Sequence, residues 1–255
     1  MRTISILNFK GGVGKTSLVI NVGHKLAMEG KNVLIIDCDL QKNASTLLKD
    51  PKPPTLLNVL RETATVEEAI QNARPNLDVL PSDTNLDRAA AYIISSGNDG
   101  YYILKHELDK IKAMQVYDFV LFDHSPSYGA VTESALLASD EIIIPCELGT
   151  FSVEGLLQMI DKLKDTLSKR NHALDVSGLV PTKYNASIAM HGTYLKDLQA
   201  EFAEAVLPTV RQDSAIGKSQ HFHKSVFEYD PHSKAAEDFT TIAHILIGKE
   251  TAAAL

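Results

Sequence analysis

With 255 residues, of which 44% are hydrophobic and 22% charged, the chain has the composition of a globular protein large enough to bury a sizeable core. A net charge of −7 excludes a molecule that binds polyanions over its whole surface, so nucleic-acid contact requires a local basic patch. No apolar run is long enough to span a membrane, and the N terminus enters a strand pattern at once, which leaves no room for a targeting segment.

Thr3 to Phe9 reads as a buried strand, and Leu18, Val19, Val22, Leu26 and Ala27 recur at helical spacing. Between them lies Asn8-Phe9-Lys10-Gly11-Gly12-Val13-Gly14-Lys15-Thr16-Ser17. Glycines at a strand-to-helix turn let backbone N–H groups curl around an anion, and the helix aims its own unpaired N–H groups at the same place. Gly11, Gly12, Val13, Gly14, Lys15, Thr16 and Ser17 therefore predict a phosphate cradle. Lys15 would supply charge to the β- and γ-phosphates, and Thr16 a hydroxyl to Mg2+. The usual G-x-x-x-x-G-K-[ST] pattern is not met, because Phe9 stands at its first glycine and a second lysine, Lys10, opens the turn. That is more positive charge than one cradle needs, which suggests that Lys10 serves phosphate in another geometry, across an interface.

Lys10-Gly11-Gly12-Val13-Gly14-Lys15-Thr16 resembles the deviant Walker A motif of the ParA/MinD family of P-loop ATPases. The resemblance implies ATP and Mg2+ as cofactors and an ATP-sandwich homodimer. In it Lys10 would reach the partner's nucleotide, and Lys15 would be the ordinary P-loop lysine.

A second strand, Asn32 to Cys38, ends in Asp37-Cys38-Asp39-Leu40-Gln41. Carboxylates at the carboxyl end of a parallel strand face the ligand crevice of an open α/β sheet, and either Asp37 or Asp39 suits a role beside Mg2+ and the terminal phosphate. The segment resembles the family's D-x-D-P-Q-G-N-A-T, which implies that Asp39 orients the attacking water. Leu40 and Lys42 replace that pattern's proline and glycine. Asn43 is expected to cap a short helix through Leu48. Small helices at 55–60 and 66–70, a strand at Leu77 to Leu80, a helix at Asn85 to Ser95, a turn at Gly97 to Gly100 and a helix at Tyr102 to Ile111 follow.

Tyr117 to Asp123 is an apolar run that delivers Asp123 to a strand end, where it could accept from a Mg2+-bound water or from Thr16. Asp123-His124-Ser125-Pro126-Ser127-Tyr128-Gly129 resembles the family's D-x-P-P-S-L-G, with Ser125 in place of the first proline, and implies that Asp123 is the Walker B carboxylate. His124 has no specified orienting partner, so a structural role is expected over a general base. Val131 to Ala138 reads as a helix and Glu141 to Cys146 as a strand. A helix from Ser152 to Leu167 behind the cap-like Phe151-Ser152 and a strand at Val176 to Val180 come next. Cys38 and Cys146 lie inside apolar runs and predict buried free thiols. Strands separated by helix-length segments predict an α/β protein with a three-layer α/β/α P-loop NTPase fold and a mostly parallel central sheet. One domain over residues 1–250 with a short tail at 251–255 is the simplest division.

Two loops in the last third, one with Lys183 and one with Pro208 and Thr209, lie just past apolar segments and resemble the family's base-recognition stretches. Ordinary turns fit them equally well. Arg211, Lys218, Lys224 and Lys234 are interspersed with acidic residues. They read either as a mixed solvated surface or as half of a DNA face completed by dimerisation. The resemblance runs from Met1 to about Leu246 and is most specific at the lysine-glycine motif and around Asp39 and Asp123. It implies a cytoplasmic, nucleoid-associated ATPase that binds non-specific DNA and, with a ParB-like or other adaptor, positions plasmids, chromosomes or large cargo. A MinD-like membrane-positioning ATPase is the first alternative, but residues 243–250 carry a single lysine, too few for a cationic interfacial helix. An assembly or carrier ATPase of the same fold is the second.

Overall fold

The computed structural model describes residues 1–149 and 152–253, with backbone alone at 249–253. The strands are β1 (Arg2–Ile6), β2 (Val33–Cys38), β3 (Gln71–Arg74), β4 (Leu77–Leu80), β5 (Phe119–His124), β6 (Glu141–Glu147) and β7 (Asp175–Thr182), and all but β3 fall on the apolar stretches of the sequence. They form one sheet in the order β3-β4-β2-β5-β1-β6-β7, parallel throughout except between β3 and β4.

Parallel neighbours need crossovers, and helices on both faces supply them. In chain order these are α1 (Lys15–Met28), α2 (Asn43–Leu48), α3 (Leu56–Leu60), α4 (Val66–Ala69), α5 (Asp87–Ser95), α6 (Gly97–Gly100), α7 (Ile103–Met114), α8 (Ala130–Leu137), α9 (Val153–Ser168), α10 (Ala189–Phe202), α11 (Ser214–His221), α12 (Val226–Tyr229) and α13 (Lys234–Ala253). Alternation along β2 shows why two layers are needed. Val33 and Ile35 pack with Leu18, Val22 and Leu26 of α1 and with Phe239 and Ile242 of α13. Leu34 and Ile36 face the opposite way, toward Leu56, Leu60, Leu104 and Leu108. The predicted three-layer fold with a mostly parallel sheet is the one observed.

Several boundaries differ from the expectation. β1 ends at Ile6 rather than Phe9, because Asn8 turns the chain off the sheet: its Nδ2 donates to the Pro145 carbonyl and its Oδ1 accepts from the Lys10 amide. Asn43 is the first residue of α2 and does not cap it; the cap comes from Asp37, whose Oδ2 accepts from the Ser45 amide and hydroxyl at 2.8 and 2.6 Å. The region 97–100, expected as a turn, is the short helix α6. β3, which is polar in sequence, has no counterpart among the expected strands. Ser152 caps α9 through the Gly155 amide, whereas Phe151 lies outside the described residues, as do 254 and 255 of the expected tail. Among the described residues no helix is long and apolar enough to cross a membrane.

Candidate functional site

The glycine-rich turn connects β1 to α1 at the carboxyl edge of the sheet. Gly12 and Gly14 have φ of 76° and 94°, a left-handed backbone that favours glycine, and Gly14 precedes α1 with no side chain capping its N–H groups. Val13 is buried, and its carbonyl accepts from Thr182 Oγ1, which anchors the turn to β7. The open helix N terminus faces a cavity of about 660 Å³ lined by Gly11, Gly12, Gly14, Lys15, Thr16, Ser17 and Asp39, among others. Helix-terminal N–H groups and a lysine at one cavity wall suit the oxygens of a phosphate chain.

Lys15 Nζ donates to the carbonyls of Asn8 and Lys10 at 3.0 and 3.2 Å. Burial lowers its pKa, opposed by the charges of Asp123 and Asp39. Lys10 behaves differently: it does not line that cavity, and its Nζ lies 3.8 Å from Glu147 Oε2 at the end of β6. The two lysines of one turn thus point to different places.

Two buried carboxylates lie behind the turn, and a third, Asp39, lines the cavity. Asp37 and Asp123 are register partners on β2 and β5, and both are fully buried. Thr16 Oγ1 donates to Asp123 Oδ2 at 2.8 Å, while Asp123 Oδ1 is buried with no hydrogen-bond partner among the described residues. Burial, and after it the charge of Asp37, pushes the Asp123 pKa well up; burial likewise raises Asp37 to about 6. A divalent cation would relieve this repulsion and occupy the orphaned oxygen, so the residues present fit Mg2+. Among the described residues no group of three or more His, Cys, Asp or Glu could hold a metal unaided. Asp37 itself is occupied: besides capping α2 it accepts from the Asp39 amide at 3.0 Å. Asp39 is left to line the cavity, a different place from that of Asp37.

His124 is buried, and its Nε2 meets Ser5 Oγ at 2.8 Å. Burial lowers its pKa to about 3, so it is a neutral core residue. Cys38 and Cys146 are free and buried, and burial raises both thiols, Cys146 to about 12.

A second cavity of about 420 Å³ continues past Gly12, Gly14 and Ser17 and is lined by Thr182, Lys183, Val210, Arg211, Gln212 and Asp213, with others. Lys183 is in place there. Pro208 and Thr209 are not; Val210 to Asp213 take that wall, because Leu207 and Val210 pair with β7 through the carbonyls of Leu179 and Pro181 and carry the next residues forward. Gln220 and His223 also line the first cavity: Gln220 Nε2 donates to Ser17 Oγ, and His223 Nδ1 lies 3.0 Å from the Thr46 carbonyl oxygen. No motif marked either residue. Of the cations singled out for DNA, Lys218, Lys224 and Lys234 are exposed. Arg211 is not available: its guanidinium is held by Asp238 at 2.7 Å and Glu237 at 2.8 Å, and these carboxylates raise its pKa further.

A family model described as "AAA domain" matches residues 1–176. The chain is 32% identical to the chromosome partitioning protein ParA of Caulobacter vibrioides, over 98% of this chain and 95% of that one. Among solved structures it is similar to a cobyrinic acid a,c-diamide synthase from Mycobacterium smegmatis with bound ATP analogue and magnesium, with a TM-score of 0.81, 27% identity and coverage of 97% and 94%. It is also similar to the septum site-determining protein MinD of Pyrococcus horikoshii complexed with Mg-ADP, with a TM-score of 0.78, 26% identity and coverage of 96% and 95%.

Proposed function

The chain belongs to the ParA/MinD family of deviant Walker A P-loop ATPases, and from that membership we propose that it is an ATP-driven dimerisation switch that binds DNA non-specifically and positions a cargo through an adaptor protein. It is an ATPase that uses ATP and Mg2+. The observation that carries the switch is the divergence of the two lysines: Lys15 lines the phosphate cavity, whereas Lys10 lies outside it against Glu147. A lysine that opens a phosphate turn without serving that turn's own cavity is available to a nucleotide in a second copy.

Phosphoryl transfer asks the protein mainly for positioning and charge stabilisation. Mg2+ bound beside Thr16 would neutralise charge on the β- and γ-phosphate oxygens. Lys15 and the open N terminus of α1 bind the phosphates, and Asp39 orients the attacking water from the cavity wall. Asp123 fixes the Thr16 hydroxyl, and Asp37 holds the loop that carries Asp39. Lys10 completes the partner's site, so nucleotide state and assembly state are coupled. Lys183 and the 210–213 wall receive the base.

Lys218, Lys224 and Lys234 are the exposed cations proposed to meet DNA phosphates, two copies contributing to one face in a nucleoid-associated dimer. The test is sedimentation with random-sequence DNA and with anionic vesicles, in MgADP and MgATP, using Asp39→Ala to keep ATP intact. ATP-dependent binding to DNA at low salt supports the reading. Binding to vesicles alone replaces it with a membrane-positioning ATPase.

A further inference from the structure

Glu147 ends β6 between two lysines from different loops. Its Oε1 is 2.9 Å from Lys183 Nζ, and its Oε2 is 3.8 Å from Lys10 Nζ. The carboxylate is partly shielded, with 21% of the side chain exposed against 37% for Lys10. Lys183 holds one carboxylate oxygen at full hydrogen-bond distance and so turns the other toward Lys10. Lys183 has a left-handed φ of 55°, and Tyr184 beside it is fixed to the 210–212 segment by backbone hydrogen bonds, so the aim of this carboxylate is set by the fold.

We propose that Glu147 is a positioning residue for Lys10, a latch within one chain that holds the lysine back until a second nucleotide-loaded copy competes for it. The inference rests on the reading that Lys10 acts across the dimer. A partly exposed ion pair at the long end of the distance range is worth little, so the latch is weak enough to yield to a phosphate chain yet biases the free chain toward the monomer. Each chain must release its own lysine, so the effect enters the dimer equilibrium twice. Removing the charge is expected to favour release about two- to fivefold per chain, and hence to tighten dimerisation roughly four- to twenty-fivefold.

The test is the dimer dissociation constant in MgATP, measured by analytical ultracentrifugation in the Asp39→Ala background, with and without Glu147→Gln, and with MgADP affinity of the monomer as the companion measurement. The latch predicts a tighter ATP dimer with unaltered MgADP affinity. Glu147→Ala, checked for an unchanged melting temperature, should behave in the same way. An unchanged or weaker dimer overturns the latch, as does a parallel rise in MgADP affinity, which marks a general charge effect on the cavity. Lys10→Ala in the same background separates the two claims. If it leaves the dimer intact, the trans-acting lysine itself is wrong; if it yields monomer while Glu147→Gln changes nothing, only the latch is.

Discussion

Thr16 Oγ1 donates to Asp123 Oδ2 at 2.8 Å, and the other oxygen of that buried carboxylate has no partner among the described residues. The first helical turn of α1 is thereby tied to β5 at the point where a cation would add the missing contact. Asp123→Asn should lower kcat by roughly 100-fold or more, by analogy with the loss of other preorganised charge in active sites. It should also weaken nucleotide binding in Mg2+ far more than in EDTA. Equal affinity loss in both conditions would remove Asp123 from the cation's environment.

Asp39 lines the cavity while its neighbour Asp37 is engaged by Ser45 and by the Asp39 amide. Asp39→Ala is therefore expected to bind MgATP but to cut single-turnover hydrolysis by about 100- to 1,000-fold, a typical loss for a group acting on the attacking water. A wild-type single-turnover rate would withdraw that role.

Lys42 stands where the family pattern has glycine, and it keeps the left-handed backbone, with φ of 54°. Lys42→Gly should stabilise the fold by about 0.5–1 kcal/mol, the relief of strain outweighing the greater freedom of glycine in the unfolded chain. Urea denaturation measures this; a lower midpoint would mean that the loop's hydrogen bonds already absorb the strain.

How much was legible in the sequence follows from what kind of signal each residue leaves. The strands β2, β5 and β6 are largely apolar on both faces and β1 alternates Ile4 and Ile6 with Thr3 and Ser5, whereas β3, Gln-Asn-Ala-Arg on an antiparallel edge, has no hydrophobic pattern to read. The fold brings Gly14, Lys15, Thr16 and Asp123 together as the order of strand, turn and helix predicts. Strand position alone leaves Asp37 and Asp39 open and only the family resemblance points to Asp39, since the physical difference lies in a hydrogen bond from Ser45 to Asp37, eight residues on. Pro208 and Thr209 lie just before the cavity wall, which begins at Val210, because the pairing with β7 that sets the register leaves no local mark. Arg211 looked like a free cation until α13 supplied Asp238.

His24 of α1 is buried against Ser225, with its Nδ1 2.7 Å from the serine hydroxyl. Burial holds its pKa below the ordinary 6.5, the charge of Glu228 opposes that shift and Arg74 adds to it. The unfolded chain therefore takes up the proton first as pH falls, so the contribution of His24 is present above about 6.5 and declines below it. Urea midpoints of wild type and His24→Gln between pH 8 and 5.5 should converge as pH drops. A difference independent of pH would assign the effect to packing alone.

The central claim is that Lys10 serves a second copy of the chain. Sedimentation velocity in MgATP on Asp39→Ala and on the Lys10→Ala/Asp39→Ala double variant tests it most directly. The account predicts a dimer for the first and a nucleotide-binding monomer for the second. An undiminished dimer in the double variant would contradict it.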